Sequence, residues 1–217
     1  MLSERTFTQP TAHPLQKIQD PMKKTSQSLN RAQTTQARRD LIVTSAITCF
    51  VENGIAQTGV RDIAKRAGVS LGNLYNHFQG KDALIAEIAR LETAGLDEIV
   101  ENALLTNGKT AGLAAFADAF LDYSADLTQA VLTIEITAMA LRNDTIATLF
   151  DGNRTMLINC LITLMKRGDI TPDINLPASA ELILDMIEGM GLRIGLAETA
   201  PTDIERQALH AFLRRVI

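Results

Sequence analysis

The chain has no tryptophan, and aromatic residues make up only 4% of it. Few runs of Val, Thr or aromatic residues alternate as a half-buried strand would, which excludes a β-rich fold. No apolar run approaches the roughly 20 residues that a membrane-spanning helix requires. The first residues lack the charged-then-apolar pattern of an export signal, so a cytoplasmic location is expected. Cysteine occurs twice, at Cys49 and Cys160. Two thiols so far apart make no disulfide framework and read as unpaired groups in a reducing compartment. His13, His77 and His210 are scattered and fit no metal-ligand spacing. There is also no Gly-rich phosphate loop and no nucleophile motif, so neither an enzyme nor a metal or cofactor is expected.

What is present is a 217-residue chain, 46% hydrophobic, whose apolar residues recur at helical spacing. That pattern predicts an all-α protein with enough apolar surface for a sizeable core. The net charge of −4 hides an asymmetry. Residues 1–82 hold 11 Lys/Arg against 6 Asp/Glu, a net of +5, and residues 83–217 hold 10 against 19, a net of −9. Affinity for nucleic acid follows a local positive face rather than the total charge. The first part is therefore the end expected to meet DNA.

Residues 1–34 contain Pro10, Pro14 and Pro21 among many Thr, Gln and Ser residues and read as a flexible tail. Its Lys17, Lys23, Lys24 and Arg31 suit an arm along the DNA backbone, and a dispensable extension is the alternative. An ordered helix is expected from Thr35 to Asn53, burying Val43, Ala46, Ile47 and Phe50 and stopping at Gly54. Val60, Ile63, Ala64 and Ala67 then form one apolar stripe on a short helix capped by Gly59. Gly68 suits a left-handed stop, and Ser70 is an N-cap for a second short helix, Leu71 to His77. Two such helices across a tight turn are a helix-turn-helix, whose second helix enters the major groove. Residues 35–82 are taken as this DNA-binding domain and residues 83–217 as a helical effector-binding and dimerisation domain.

On the second short helix, Leu74 and Phe78 face inward. Leu71, Gly72, Asn73, Tyr75, Asn76 and His77 are left for the duplex. Asn73 can pair with adenine N6 and N7, worth about 1–3 kcal/mol of discrimination, and Leu71 can touch a thymine methyl. Lys81 opens a long helix reaching about Leu105, where a cation opposes the helix dipole unless a phosphate docks there.

The pattern extends beyond the two helices. Arg39, Ile42, Ser45-Ala46, Phe50, Gly54, Ile63-Ala64, Ala67-Gly68-Val69-Ser70, Gly72, Leu74-Tyr75, His77-Phe78 and Lys81-Asp82 resemble the N-terminal domain of TetR-family transcriptional regulators over about residues 37–90. The resemblance implies that Arg61 reaches a phosphate or base, that Tyr75 and His77 position the backbone, and that the long helix is a lever. It implies a repressor released from a palindromic operator by a small-molecule effector. A dimeric DNA-binding protein of the same fold with no small-molecule input is the alternative.

Three further helices are expected to form a bundle. One carries Leu113, Phe116, Ala117 and Phe120. The next spans Leu127 to Leu141, with Leu127, Val131, Ile134, Ala138 and Leu141 as its buried stripe. The third, capped by Asn143-Asp144, buries Ile146, Leu149, Phe150, Leu157, Cys160, Leu161 and Leu164. Bundle interiors host small-molecule sites. Phe116, Phe120, Tyr123, Met139, Met156, Asn159 and Cys160 are candidate lining residues, and Glu135 is a candidate partner for a cationic effector.

The helix begun at Pro177 has two apolar faces, one of them formed by Leu182, Met186 and Met190, with Gly189 and Gly191 open to a close neighbour. Thr202 and Glu205 form a capping box for the last helix, whose stripe is Ile204, Ala208, Ala211 and Phe212. These look like the helices that pair in TetR-family homodimers. One short reading helix is too little for operator-level affinity, and a dyad supplies two.

Overall fold

The computed structural model describes residues 27–168 and 175–216. These residues form nine helices: α1 (Gln27–Asn53), α2 (Val60–Arg66), α3 (Leu71–His77), α4 (Lys81–Leu105), α5 (Ala111–Ser124), α6 (Leu127–Ala140), α7 (Asp144–Met165), α8 (Leu176–Leu196) and α9 (Asp203–Val216). No strand occurs among the described residues, and no helix there is long and apolar enough to cross a membrane. The expected all-α class holds.

α1 begins at Gln27 rather than Thr35, so residues 27–34 of the expected tail are helical. No proline lies between Pro21 and the end of α1, and Gln, Arg and Ala propagate a helix well even without an apolar stripe. The tail lysines Lys17, Lys23 and Lys24 lie outside the described residues.

Two apolar clusters organise the fold. The first joins α1, α2, α3 and the start of α4 around Phe50, Ile63, Leu74 and Leu84. It is completed from the bundle by Leu132 and Ile136 of α6 and Ile146 of α7. The second holds Phe116, Leu121, Leu161 and Ile187 between the rest of α4 and helices α5, α7, α8 and α9. α4 passes from one cluster into the other.

α5 and α8 cross closely. A Cβ on Gly191 would lie 2.3 Å from the Ser124 Cβ, so Gly191 closes on α5 of its own chain rather than admitting a partner. α9 opens on the expected box. The Thr202 N–H donates to the Glu205 carboxylate at 2.9 Å, and the Glu205 N–H donates to the Thr202 hydroxyl at 3.3 Å. α9 then buries Leu209 and Leu213, while Arg206 pairs with Asp118 and Asp122 of α5.

α6 turns the opposite way from its expected stripe. Leu127, Ile134 and Leu141 are 40%, 43% and 80% exposed, and the buried set is Gln129, Ala130, Leu132 and Ile136. Apolar residues surround this helix, so local periodicity does not choose its inner face. Long-range contacts make that choice.

Candidate nucleic-acid interface and adjoining cavity

The α2–turn–α3 unit is closed by backbone chemistry. Gly68 takes φ +64°, the Gly68 N–H donates to the Lys65 carbonyl and the Val69 N–H to the Ala64 carbonyl. That is a Schellman stop, open to glycine at no steric cost. The Ser70 hydroxyl then accepts from the Asn73 N–H at 3.1 Å and starts α3. At the other end of α2, the Gly59 N–H donates to the Asp62 carboxylate at 3.0 Å. The Thr58 hydroxyl bonds inward to the carbonyls of Gly54 (2.8 Å) and Cys49 (3.1 Å).

Arg61, Ser70, Gly72, Tyr75 and Asn76 are exposed, while Leu71, Asn73, His77 and Lys81 are half-buried. Two of the half-buried residues have partners within the fold or are turned inward. Lys81 donates through Nζ to the carbonyls of Ile55 (2.7 Å) and Thr58 (3.3 Å), so it clamps the α1–α2 turn at the start of α4. The Asn73 Oδ1 is buried without a partner, so its pairing edge reaches a base only after the side chain rotates outward. Arg39, which carried no assigned role, proves to be a hub. It donates to the His77 carbonyl at 3.0 Å, pairs with Glu87 at 2.9 Å and lies 4.2 Å from the Phe78 ring centre. Burial opposes ionisation of Glu87, but hydrogen bonds from Arg90 and Arg39 outweigh it and lower its pKa. The end of α3 is thereby tied to both α1 and α4.

Behind this head, a cavity of about 170 Å³ opens between α4, α5, α6, α7 and α8. Of the eight residues expected in such a cavity, Phe120 and Tyr123 line it. Phe116 and Cys160 are core residues, and burial pushes the Cys160 thiol up to about 11. Met156 packs on the same core, Met139 packs on the head cluster, and Asn159 is exposed. Glu135 points away from the cavity. Its carboxylate accepts the Ile55 N–H at 2.7 Å and lies against Gly54, whose φ of +81° turns the chain out of α1. The reason is electrostatic, because an N–H freed at a turn attracts the nearest carboxylate.

Polar residues missed by the apolar reading complete the cavity. Glu92, Asn153, Arg154 and Glu188 all line it. Burial is the main cause that pushes Glu92 up to about 7, despite its hydrogen bond with Tyr123, and the like charge of Glu188 adds to it. Burial also raises Glu188, against the opposing pull of Arg154. A signal for them existed in the apolar stripes, which each break at one position: Ile88–Glu92–Leu96, Phe150–Asn153–Leu157 and Leu184–Glu188–Leu192.

Residues 42–88 match the family described as bacterial regulatory proteins, tetR family. The chain is 28% identical over 191 residues to the HTH-type transcriptional regulator UidR of Escherichia coli K12, spanning 84% of this chain and 91% of UidR. Over 54 residues, 25% of this chain and 26% of the other, it is 43% identical to the HTH-type transcriptional repressor KstR2 of Mycolicibacterium smegmatis. Its fold matches Salmonella enterica GusR with a TM-score of 0.69 at 27% identity, covering 82% of this chain and 94% of GusR. The helix-turn-helix geometry, the helical bundle behind it and these likenesses agree: the chain belongs to the TetR family of bacterial regulatory proteins and is a DNA-binding transcriptional regulator.

Proposed function

We propose that the chain acts as a homodimeric repressor that reads a two-fold symmetric operator and leaves it when a small molecule occupies the cavity. Residues 35–82 serve as the reading head and residues 83–217 as the effector and dimer domain. Arg61, Ser70 and the exposed side of α3 meet the duplex, with Tyr75, His77 and Lys81 on phosphates and Asn73 on a base.

The observation that carries dimerisation is a set of large apolar side chains on α8 and α9 that the single chain leaves open. Leu182, Ile204 and Phe212 are 61%, 78% and 36% exposed, although α8 and α9 bury a different face in the bundle. Gly189 and Ala208 are exposed beside them, and Met186, Met190 and Ala211 are half-buried. Large apolar groups left open in this way mark an association surface.

Coupling runs through α6. Leu132, Thr133, Ile136 and Thr137 line the cavity, and Glu135 on the same helix holds the Ile55 N–H. The Ile55 carbonyl is held in turn by Lys81. Movement of α6 therefore pulls on the turn that joins α1 to α2 and on the start of α4. A ligand shifts the heads only as far as its affinity differs between the two arrangements. Selection of bound DNA from a random pool tests the reading. A palindrome with half-sites about 10 base pairs apart, or a multiple of that, is expected. An asymmetric site bound by a single chain overturns it.

A further inference from the structure

We infer that the cavity takes a small organic cation with an apolar, one-ring body, its charged nitrogen held between Glu92 and Glu188 and a second polar atom held by the Asn153 amide. The inference rests on reading this cavity as the effector site.

Charge balance is the first argument. Arg154 is the cation on the cavity wall, and it is already engaged by Asp185 at 2.6 Å and Glu188 at 3.4 Å. Glu92 faces Tyr123 from α5 and the like charge of Glu188 from α8, and among the described residues no basic side chain contributes to its shift. Glu92 thus stands outside the ion pairs that Arg154 makes with Asp185 and Glu188. Buried charges are normally paired, so the cavity lacks a positive charge next to Glu92. An anion entering here would meet two carboxylates and one occupied arginine.

Asn153 supplies a second, independent argument. It is only 6% exposed, its Oδ1 accepts from the Thr93 hydroxyl at 2.7 Å, and its Nδ2 has no partner. A buried amide with an unpartnered N–H at a cavity wall gains a partner when a small rotation brings it to a ligand atom. The remaining wall sets shape. Phe120 and Tyr123 stack at 6.1 Å, and Leu96, Ile136 and Leu157 are apolar. A volume of about 170 Å³ is close to that of the engineered cavity of ~150 Å³ that admits benzene, so one ring fits.

The test uses three matched compounds on the full-length protein: 2-phenoxyethylamine, 2-phenoxyethanol and phenoxyacetate. Calorimetry is expected to show binding of the amine at least about tenfold tighter than the alcohol, and no binding of the acid. Glu92→Gln and Glu188→Gln are each expected to weaken the amine by about tenfold or more while leaving the alcohol unchanged. Amine affinity should also rise about tenfold between pH 6 and pH 8, as Glu92 ionises. The inference is overturned if the alcohol or the acid binds as well as the amine, if the amine does not bind at millimolar concentration, or if both substitutions leave its affinity within twofold. Release of labelled operator DNA separates this from the effector reading. An acid or alcohol that binds and releases DNA sinks the cation site alone. An amine that binds without altering DNA affinity sinks the effector reading alone.

Discussion

Replacing Glu92 with glutamine should stabilise the protein at neutral and alkaline pH and leave its stability in acid almost unchanged. In the folded chain the Glu92 carboxyl titrates near 7, against 4.5 for a free side chain, chiefly because burial penalises its charged form. The folded state therefore binds the proton more tightly than the unfolded state. Its contribution is fully present below about pH 4.5 and is lost as pH rises through 7. A difference of about 2.5 pH units, at about 1.36 kcal/mol each, sets an upper limit on the order of 3 kcal/mol. The carboxyl lines a cavity large enough to admit water, which brings the expected loss to about 1–3 kcal/mol. Glutamine keeps the shape and can still bond to Tyr123, but it carries no charge to desolvate. Urea unfolding of parent and Glu92→Gln at pH 4, 5, 6, 7 and 8 provides the assay, because subtracting the curves cancels the titrating groups that are not coupled to Glu92. The gap should open between pH 4.5 and 7 and stay level above. Parallel curves, separated by a constant amount across that range, would show that Glu92 is not a desolvated carboxyl.

Glu135→Ala should cost about 1–3 kcal/mol, since it strands the Ile55 N–H, and should make DNA affinity less responsive to a bound effector, whereas Glu135→Gln keeps an acceptor and most of the response. Thermal denaturation and operator titrations with and without ligand measure both. Lys81→Ala should weaken binding to all DNA sequences, lower the salt slope by about one and lower the melting temperature, because Lys81 also holds the Ile55 and Thr58 carbonyls. An unchanged slope would confine Lys81 to the clamp. Asn73→Ala should relax preference at one base position in a selection from random DNA and leave the others intact. Ile204→Glu places a charge on a side chain that is 78% exposed in the single chain; sedimentation should then report a monomer with greatly reduced operator affinity.

Where backbone chemistry writes the structure locally, the sequence is easily read. Gly68 and Ser70 mark the end of α2 and the start of α3 through a left-handed stop and a hydroxyl cap, and both act within a few residues. The Thr202 and Glu205 box places the start of α9 for the same reason. The exposed face of α8 is also legible, because Leu182, Met186 and Met190 lie off the stripe that packs inward, whereas on α9 the inward pair Leu209 and Leu213 stands outside the expected stripe. The cavity was harder to read. Choosing Phe, Met and Cys as its lining followed the general apolarity of ligand sites, but those residues are equally suited to a core. Phe116 and Cys160 went to the core.

α6 shows why the rest could not be read from periodicity. Leu127, Val131, Ile134, Ala138 and Leu141 make as good a stripe as Ala130, Leu132 and Ile136, so local pattern leaves its rotation undecided. Rotation is set by two distant demands acting together. The head cluster needs Leu132 and Ile136 to close over it, and the turn after α1 needs an acceptor for the Ile55 N–H, which Glu135 supplies from 80 residues away. The inner face of α6 is thus chosen between nearly balanced local alternatives by contacts made elsewhere in the fold. Filling the cavity beside Leu132, Thr133, Ile136 and Thr137 changes one side of that balance. Under the effector mechanism proposed above, the feature that hid α6 from the sequence is the one that suits it to carry a signal, with Glu135 as its contact to the head.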